Sequence, residues 1–244
     1  MTRWAGLVRD GVGMSWTLVV FQAHPDDEIV LTAGTMARAA DQGHRVVLVV
    51  ATDGGLGRTR LELGPYGDLG RLRWSELTKS AGLLGVHRLV GLGYADSGAG
   101  PVVPADPADR CRFVRAPLDE AAGRLAEILR QECADVLIID DPGGGYGHRD
   151  HVRAHQVGAR AADLAGTTCV LQATIPVVYS SARLVTHRID VRRYVAVKRS
   201  ALAAHVSQSS RAVGGDRMLV RCLALPPLVF GWLFGSEWFI GRKR

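Results

Sequence analysis

The chain has 244 residues, 47% of them hydrophobic, enough to bury a substantial core in one domain spanning 1–244 without disulfides or repeats. Its formal charge of +6 is carried mainly by arginine, but the basic residues form no long run and are not interleaved with the few aromatics, which argues against nucleic-acid binding. The cysteines Cys111, Cys133, Cys169 and Cys222 are scattered singly, which excludes a CxxC metal site or a disulfide framework and fits a reducing, cytoplasmic setting.

Residues Met1 to Ser15 lack the apolar core and cleavage site of a secretory signal and read as a short leader. Residues 16–22 are a β-branched and apolar run, predicting a buried strand that stops abruptly at a polar segment. Small and apolar residues from Glu28 to Gln42 predict a helix ended by Gly43, and Arg45 to Thr52 a second buried strand. Residues 53–70, rich in glycine and containing Pro65, read as a long loop.

A helix follows from Arg71 to Leu84, closed by Gly85, then a short strand through Val90 and a second glycine-rich loop, Gly91 to Asp109. Leu118, Ala121, Leu125 and Ile128 recur at helical spacing within Pro117 to Glu132, and the proline suits a first turn. Asp135 to Asp140 reads as the next buried strand, Asp141 to Gly147 as a loop and residues 150–163 as a helix. An apolar run near 174–179 and a helix near 192–206 complete the pattern. The longest apolar stretch, Cys222 to Gly235, contains Pro226 and Pro227 and is shorter than the roughly 20 residues that span a bilayer, so no transmembrane segment is expected.

Strands alternating with helices predict an α/β, Rossmann-like fold with a mainly parallel sheet and helices on both faces. Ligands of such folds gather beyond the carboxyl ends of the strands. The first and fourth predicted strands are followed there by the two segments richest in histidine and aspartate. These are Ala23-His24-Pro25-Asp26-Asp27-Glu28, and Gly145-Tyr146-Gly147-His148-Arg149-Asp150-His151 with His155 beyond it. A zinc hydrolase needs three ligands from imidazole nitrogen and carboxylate oxygen, an open coordination position and a nearby base, and these two segments supply all of them.

At these residues the chain resembles the PIG-L or LmbE-like N-acetylglucosaminyl deacetylases and amidases, whose signature is AHPDDE followed by HxDH. The first motif stands intact at 23–28. The second stands at 148–151, with Arg149 where many relatives have proline. Arg73, Glu76, Asp96-Ser97-Gly98, His205, Gln208 and the ending Ser236-Glu237-Trp238-Phe239 extend the resemblance over nearly the whole chain.

The resemblance implies His24, Asp27 and His151 as zinc ligands, with iron(II) able to take the same place in cells, and Asp26 as general base. It implies His148 as an oxyanion stabiliser or proton donor, with third metal ligand as its other role, and it matches Arg73 and Asp96 to substrate-contacting positions. Asp150 is expected to orient a histidine, and Tyr146 either donates to the oxyanion or packs in its loop. His155, one turn beyond His151, is a packing histidine or an additional ligand. The implied activity is hydrolysis of an N-acyl group, acetyl above all, from a small amino sugar or glycoconjugate, with mycothiol-type and natural-product conjugates as the alternative. Homo-oligomerisation is left open. Two readings of another class remain: a nucleotide-binding or transferase domain, from the turn Asp53-Gly54-Gly55-Leu56-Gly57, which lacks GxGxxG spacing, and a non-catalytic sugar-binding protein.

Overall fold

In the computed structural model, which describes residues 15–63 and 68–242, the chain builds one seven-stranded sheet from alternating apolar runs. Residues 1–14, which hold most of the expected leader, and the stretch 64–67 of the expected loop, Pro65 included, lie outside the described residues. Strand β1 (Thr17–Gln22) pairs in parallel with β2 (Arg45–Thr52) on one side and β4 (Val136–Asp140) on the other. Side chains alternate along each strand, so Leu18, Val46, Leu48 and Ile138 enter one core and Val19, Phe21, Val47 and Ile139 the other. Both faces are buried, which is why these strands are apolar almost throughout.

The first core is covered by α1 (Asp27–Leu31), α2 (Ala33–Asp41), α3 (Asp68–Leu83) and α6 (Val195–Ala204). The second is covered by α4 (Leu118–Gln131) and α5 (Arg149–Ala165). With β3 (Arg88–Tyr94), β5 (Cys169–Thr174), β6 (His187–Asp190) and β7 (Ser236–Gly241), the strand order is β3-β2-β1-β4-β5-β7-β6. The chain leaves β1 toward β2 and β3, then returns through β4 and β5 to the opposite side. The crevice beyond β1 and β4 is therefore the point where the winding reverses.

The expected α/β class with a mainly parallel sheet and helices on both faces is what forms; β7 alone runs against the others, antiparallel to both β5 and β6. Several boundaries differ. The helix expected over 28–42 is two helices, because Thr32 bonds back to the Glu28 carbonyl (2.9 Å) and Glu237 accepts the amides of Gly34 and Thr35, starting α2 afresh. Gly43, with φ 78°, ends α2 as anticipated.

Strand β3 runs on to Tyr94, past the expected end at Val90, since Gly91 leaves room for the Trp74 ring, which a Cβ would meet at 3.0 Å. The run near 174–179 is not a strand: β5 stops at Thr174, and turn bonds from Val177 to Ser180 and from Tyr179 to Ile175 leave Val177 and Val178 exposed. Strand β5 at its observed place, strands β6 and β7, and helices α7 (Arg217–Ala224) and α8 (Pro227–Phe234) were not expected as elements. Among the described residues no helix is long and apolar enough to cross a membrane.

Candidate metal centre

The loop after β1 is pinned where Thr52 donates from both its amide and its hydroxyl to the Ala23 carbonyl (3.0 Å each). His24 then donates its amide to Asp27 Oδ2 (2.7 Å), and Asp26, before α1, takes the left-handed backbone with φ 99°. An L-residue other than glycine adopts that region at a cost of about 1–3 kcal/mol, which surrounding contacts must offset. The Asp26 amide donates to Glu28 Oε2 (3.0 Å), and its carboxylate accepts from Arg73 Nη2 (2.8 Å). The turn drives the adjacent side chains apart: Asp26 faces Arg73, while Asp27 faces two histidines.

The loop after β4 folds tightly onto the start of α5. Gly144 has φ 63°, and a Cβ there would lie 2.7 Å from the Val152 amide. His148 caps α5, its Nδ1 accepting from the Asp150 amide (3.2 Å). A neutral His148 therefore carries its proton on Nε2. One turn inside α5, His151 directs Nδ1 toward Asp140 Oδ1 and Nε2 toward Asp27 Oδ1, both at 3.4 Å.

His24 Nδ1 lies 3.2 Å from Asp27 Oδ2, and its Nε2 meets Asp150 Oδ2 at 3.1 Å and Asp96 Oδ1 at 3.6 Å. Asp150 Oδ2 also accepts the Ser97 amide (2.8 Å), so this carboxylate fixes the His24 ring. The rings of His24, His148 and His151 lie 4.8 to 5.5 Å apart.

Two compact groupings of potential ligand atoms occur among the described residues: His24 with His148 and His151, and His24 with Asp96 and Asp150. Neither contains Asp27. His24, Asp27 and His151 form a third candidate set, joined by the contacts of Asp27 to both rings. Asp150 is wholly buried behind the cavity wall, with Oδ2 on the His24 ring and the Ser97 amide, whereas Asp27 lines the cavity. Asp27 offers one oxygen to each histidine, and His151 Nε2 is buried without a hydrogen-bond partner. Two imidazole nitrogens and a carboxylate around such an orphaned nitrogen fit a borderline divalent cation.

Electrostatics separate the two aspartates. Burial pushes Asp26 up to about 6, although the Arg73 guanidinium opposes this. Burial also works against an ionised Asp27, but His151 and His24 outweigh it and hold the carboxyl well below its ordinary value. Burial disfavours protonated His151, yet Asp27 and Asp140 push it up to about 10, and Asp96 and Asp27 likewise raise His24 against its burial. His148 goes the other way: burial, then the neighbouring histidine charges, lower it to about 4, so it is neutral at pH 7. Asp96 is held well below its usual value because His24 overcomes its burial.

All nine expected site residues line or adjoin one cavity of about 710 Å³; Asp150 lies behind the wall, fully buried. Tyr146 is exposed on the rim with its ring 5.9 Å from that of His148. Arg73, expected to meet substrate, has both terminal nitrogens engaged, by the carbonyls of Gly54 and Pro25 and by Asp26. Asp96 accepts the amides of Leu56 (3.0 Å) and Gly98 (2.8 Å). His155 is drawn away, its Nδ1 on the Asp140 carbonyl (3.0 Å).

Four supporting groups were not anticipated in these roles. Asp140 orients His151, and its signal was an acid closing a buried strand. Behind Asp26, Glu28 Oε1 accepts from His205 Nε2 and from the Ser80 hydroxyl (2.7 Å each), contacts across 177 and 52 residues that no local pattern announces.

The sequence matches the PIG-L family, described as GlcNAc-PI de-N-acetylase, over residues 19–162. A 1D-myo-inositol 2-acetamido-2-deoxy-alpha-D-glucopyranoside deacetylase of Thermobifida fusca is 36% identical over 248 residues, covering 82% of this chain and 85% of that protein. A protein of the same description from Kineococcus radiotolerans is 40% identical over 163 residues, covering 61% of this chain but only 45% of its own length. This chain thus spans about half of that relative. Among solved structures, N,N'-diacetylchitobiose deacetylase from Pyrococcus horikoshii superposes with a TM-score of 0.66 at 22% identity, covering 93% of this chain and 82% of that one. A likeness that distant carries the fold alone; the sequence matches establish that the chain belongs to the PIG-L family.

Proposed function

We propose that this protein is a zinc-dependent N-deacetylase, a single catalytic domain that removes the acetyl group from a small N-acetylglucosaminyl conjugate. One observation carries the reading: the adjacent Asp26 and Asp27 are turned to opposite tasks by a left-handed backbone, one toward two histidines and one toward an arginine. A structural acid pair has no need of that strain. The sugar conjugate follows from the relatives, described as acting on an inositol-linked 2-acetamido sugar, and from a cavity large enough for a disaccharide-sized ligand. A cytoplasmic setting belongs to the same reading, and Cys111, Cys133 and Cys222 are free thiols.

In this account His24 Nδ1, Asp27 and His151 Nε2 hold the metal, with iron(II) as the alternative ion. When bound, the ion supplies Lewis-acid polarisation of the amide carbonyl and acidifies water. Asp26, ionised above about pH 6, accepts the proton of the attacking water and afterwards returns it to the departing amine. Neutral His148 presents its Nε2 proton to the carbonyl oxygen as negative charge develops there, and Tyr146 offers a second donor from the rim. Asp150 and Asp140 orient His24 and His151. Arg73 acts through Asp26, holding it in place and ionised, and Asp96 faces the cavity beside His24.

The test is a panel of N-acyl amino sugars, 2-acetamido-2-deoxyglucosyl inositol and N,N'-diacetylchitobiose among them, incubated with metal-loaded protein. Release of free amine from at least one N-acetylglucosaminide is expected. A protein that holds metal but releases none from any member contradicts the assignment.

A further inference from the structure

Helix α8 is apolar on the side that a soluble helix normally keeps polar. Leu228 and Trp232, one turn apart, are 89% and 83% exposed, and Val229 and Leu233 beside them are also exposed. Phe230 alone is buried, beneath the Arg199 guanidinium. Along the preceding helix, α7, Arg60, Arg211, Arg217 and Arg221 line a groove of about 810 Å³ together with Val220 and Leu223. None of the four makes an ion pair with another described residue. Residues 192–235 carry six arginines and one lysine against a single acid, Asp216, which is occupied capping α7.

We infer that the consecutive helices α7 and α8, with the arginine groove along α7, form a docking surface for an anionic lipid bilayer. An apolar ridge with a tryptophan suits the boundary between headgroups and acyl chains, and the unpaired guanidiniums of the groove suit lipid phosphates. Charge decides against a second copy of the chain: a two-fold contact through this ridge would bring the arginine groove of one protomer toward that of its partner. Helix α7 also lends Met218 and Leu219 to the wall of the site cavity, so docking brings that wall to the membrane surface. This last consequence rests on the deacetylase reading, whereas the docking itself does not.

The experiment is co-sedimentation of the full chain with phosphatidylcholine vesicles, with and without phosphatidylglycerol, at low and high salt. Binding is expected only to the anionic vesicles and is expected to weaken with salt. Arg217→Gln with Arg221→Gln should lower partitioning about 25-fold, at about fivefold for each arginine near an anionic surface. Leu228→Ser with Trp232→Ser should abolish it, while amine release from a soluble substrate stays at the wild-type rate. A shift of tryptophan emission on adding anionic vesicles, absent in Trp232→Phe, gives a second readout that needs no disruptive variant. Wild-type protein that stays in solution with anionic vesicles overturns the inference, as do double variants that sediment like wild type. Light scattering that shows a dimer dissolved by Trp232→Ser, without vesicle binding, assigns the ridge to a second copy and overturns it too.

Discussion

Replacing Asp26 by asparagine keeps the shape of the side chain and leaves an oxygen to accept from Arg73 Nη2, now 2.8 Å from the carboxylate. It removes the capacity to take a proton. With its carboxyl pushed up to about 6, Asp26 is about nine-tenths ionised at pH 7, so the wild type operates near its full complement of base. The left-handed turn is held through the Asp26 amide and Glu28, neither of which the substitution touches. The expected loss in kcat is therefore that of a positioned general base, about 100-fold or more, equivalent to about 2.7 kcal/mol in the barrier. Steady-state amine release across pH 5 to 9 reads it, with metal content measured on the same samples. In the wild type, activity should rise with pH through about 6 as Asp26 loses its proton, and that limb should vanish in Asp26→Asn. A variant that keeps its metal and turns over within a few-fold of wild type, with the acidic limb intact, refutes the assignment of the base.

Arg73→Ala should retain metal but lower kcat, and the acidic limb should move above 6, because Arg73 is the charge that lowers Asp26; an unmoved limb removes Arg73 from that role. Metal-free protein should hold protons on His24 and His151 at pH 7, since both are raised above the ordinary histidine value. Loading should then release about two protons and weaken as pH falls, which titration calorimetry in buffers of different ionisation enthalpy can count; no release contradicts the ligand set. Glu237→Ala strands the wholly buried Lys198, 2.5 Å from the lost carboxylate, and uncovers the amides that open α2. Urea unfolding should show a loss of about 3–5 kcal/mol, and a loss below about 1 kcal/mol would mean that the pair is not holding β7 to the helical layer.

The central strands were readable because β1, β2 and β4 are buried on both faces and written almost wholly in apolar residues. Strands β6 and β7 were not. His187-Arg-Ile-Asp is short and apolar only at Ile189, and Ser236 to Gly241 carries a glutamate whose burial is explained only by Lys198 and two amides from distant helices. The apolar run after Thr174 misled because Val177 takes φ 70°, a conformation that composition does not reveal. In the site, motif residues could be named because they sit on two short segments at the ends of neighbouring strands. The direction in which Asp26 and Arg73 point could not, since it depends on the sign of one φ angle and on a helix packed 47 residues away.

Metal content of purified Asp26→Asn and Asp27→Asn, measured side by side with wild type after dialysis against zinc, tests most directly whether the two neighbours divide the work. Wild type and Asp26→Asn are expected to hold one ion per chain, because Asp26 faces Arg73. Asp27→Asn is expected to lose most of its metal, because it removes the carboxylate that offers one oxygen to His24 and the other to His151. Full occupancy in Asp27→Asn, or loss in Asp26→Asn with Asp27 intact, would contradict the division on which the proposed mechanism stands.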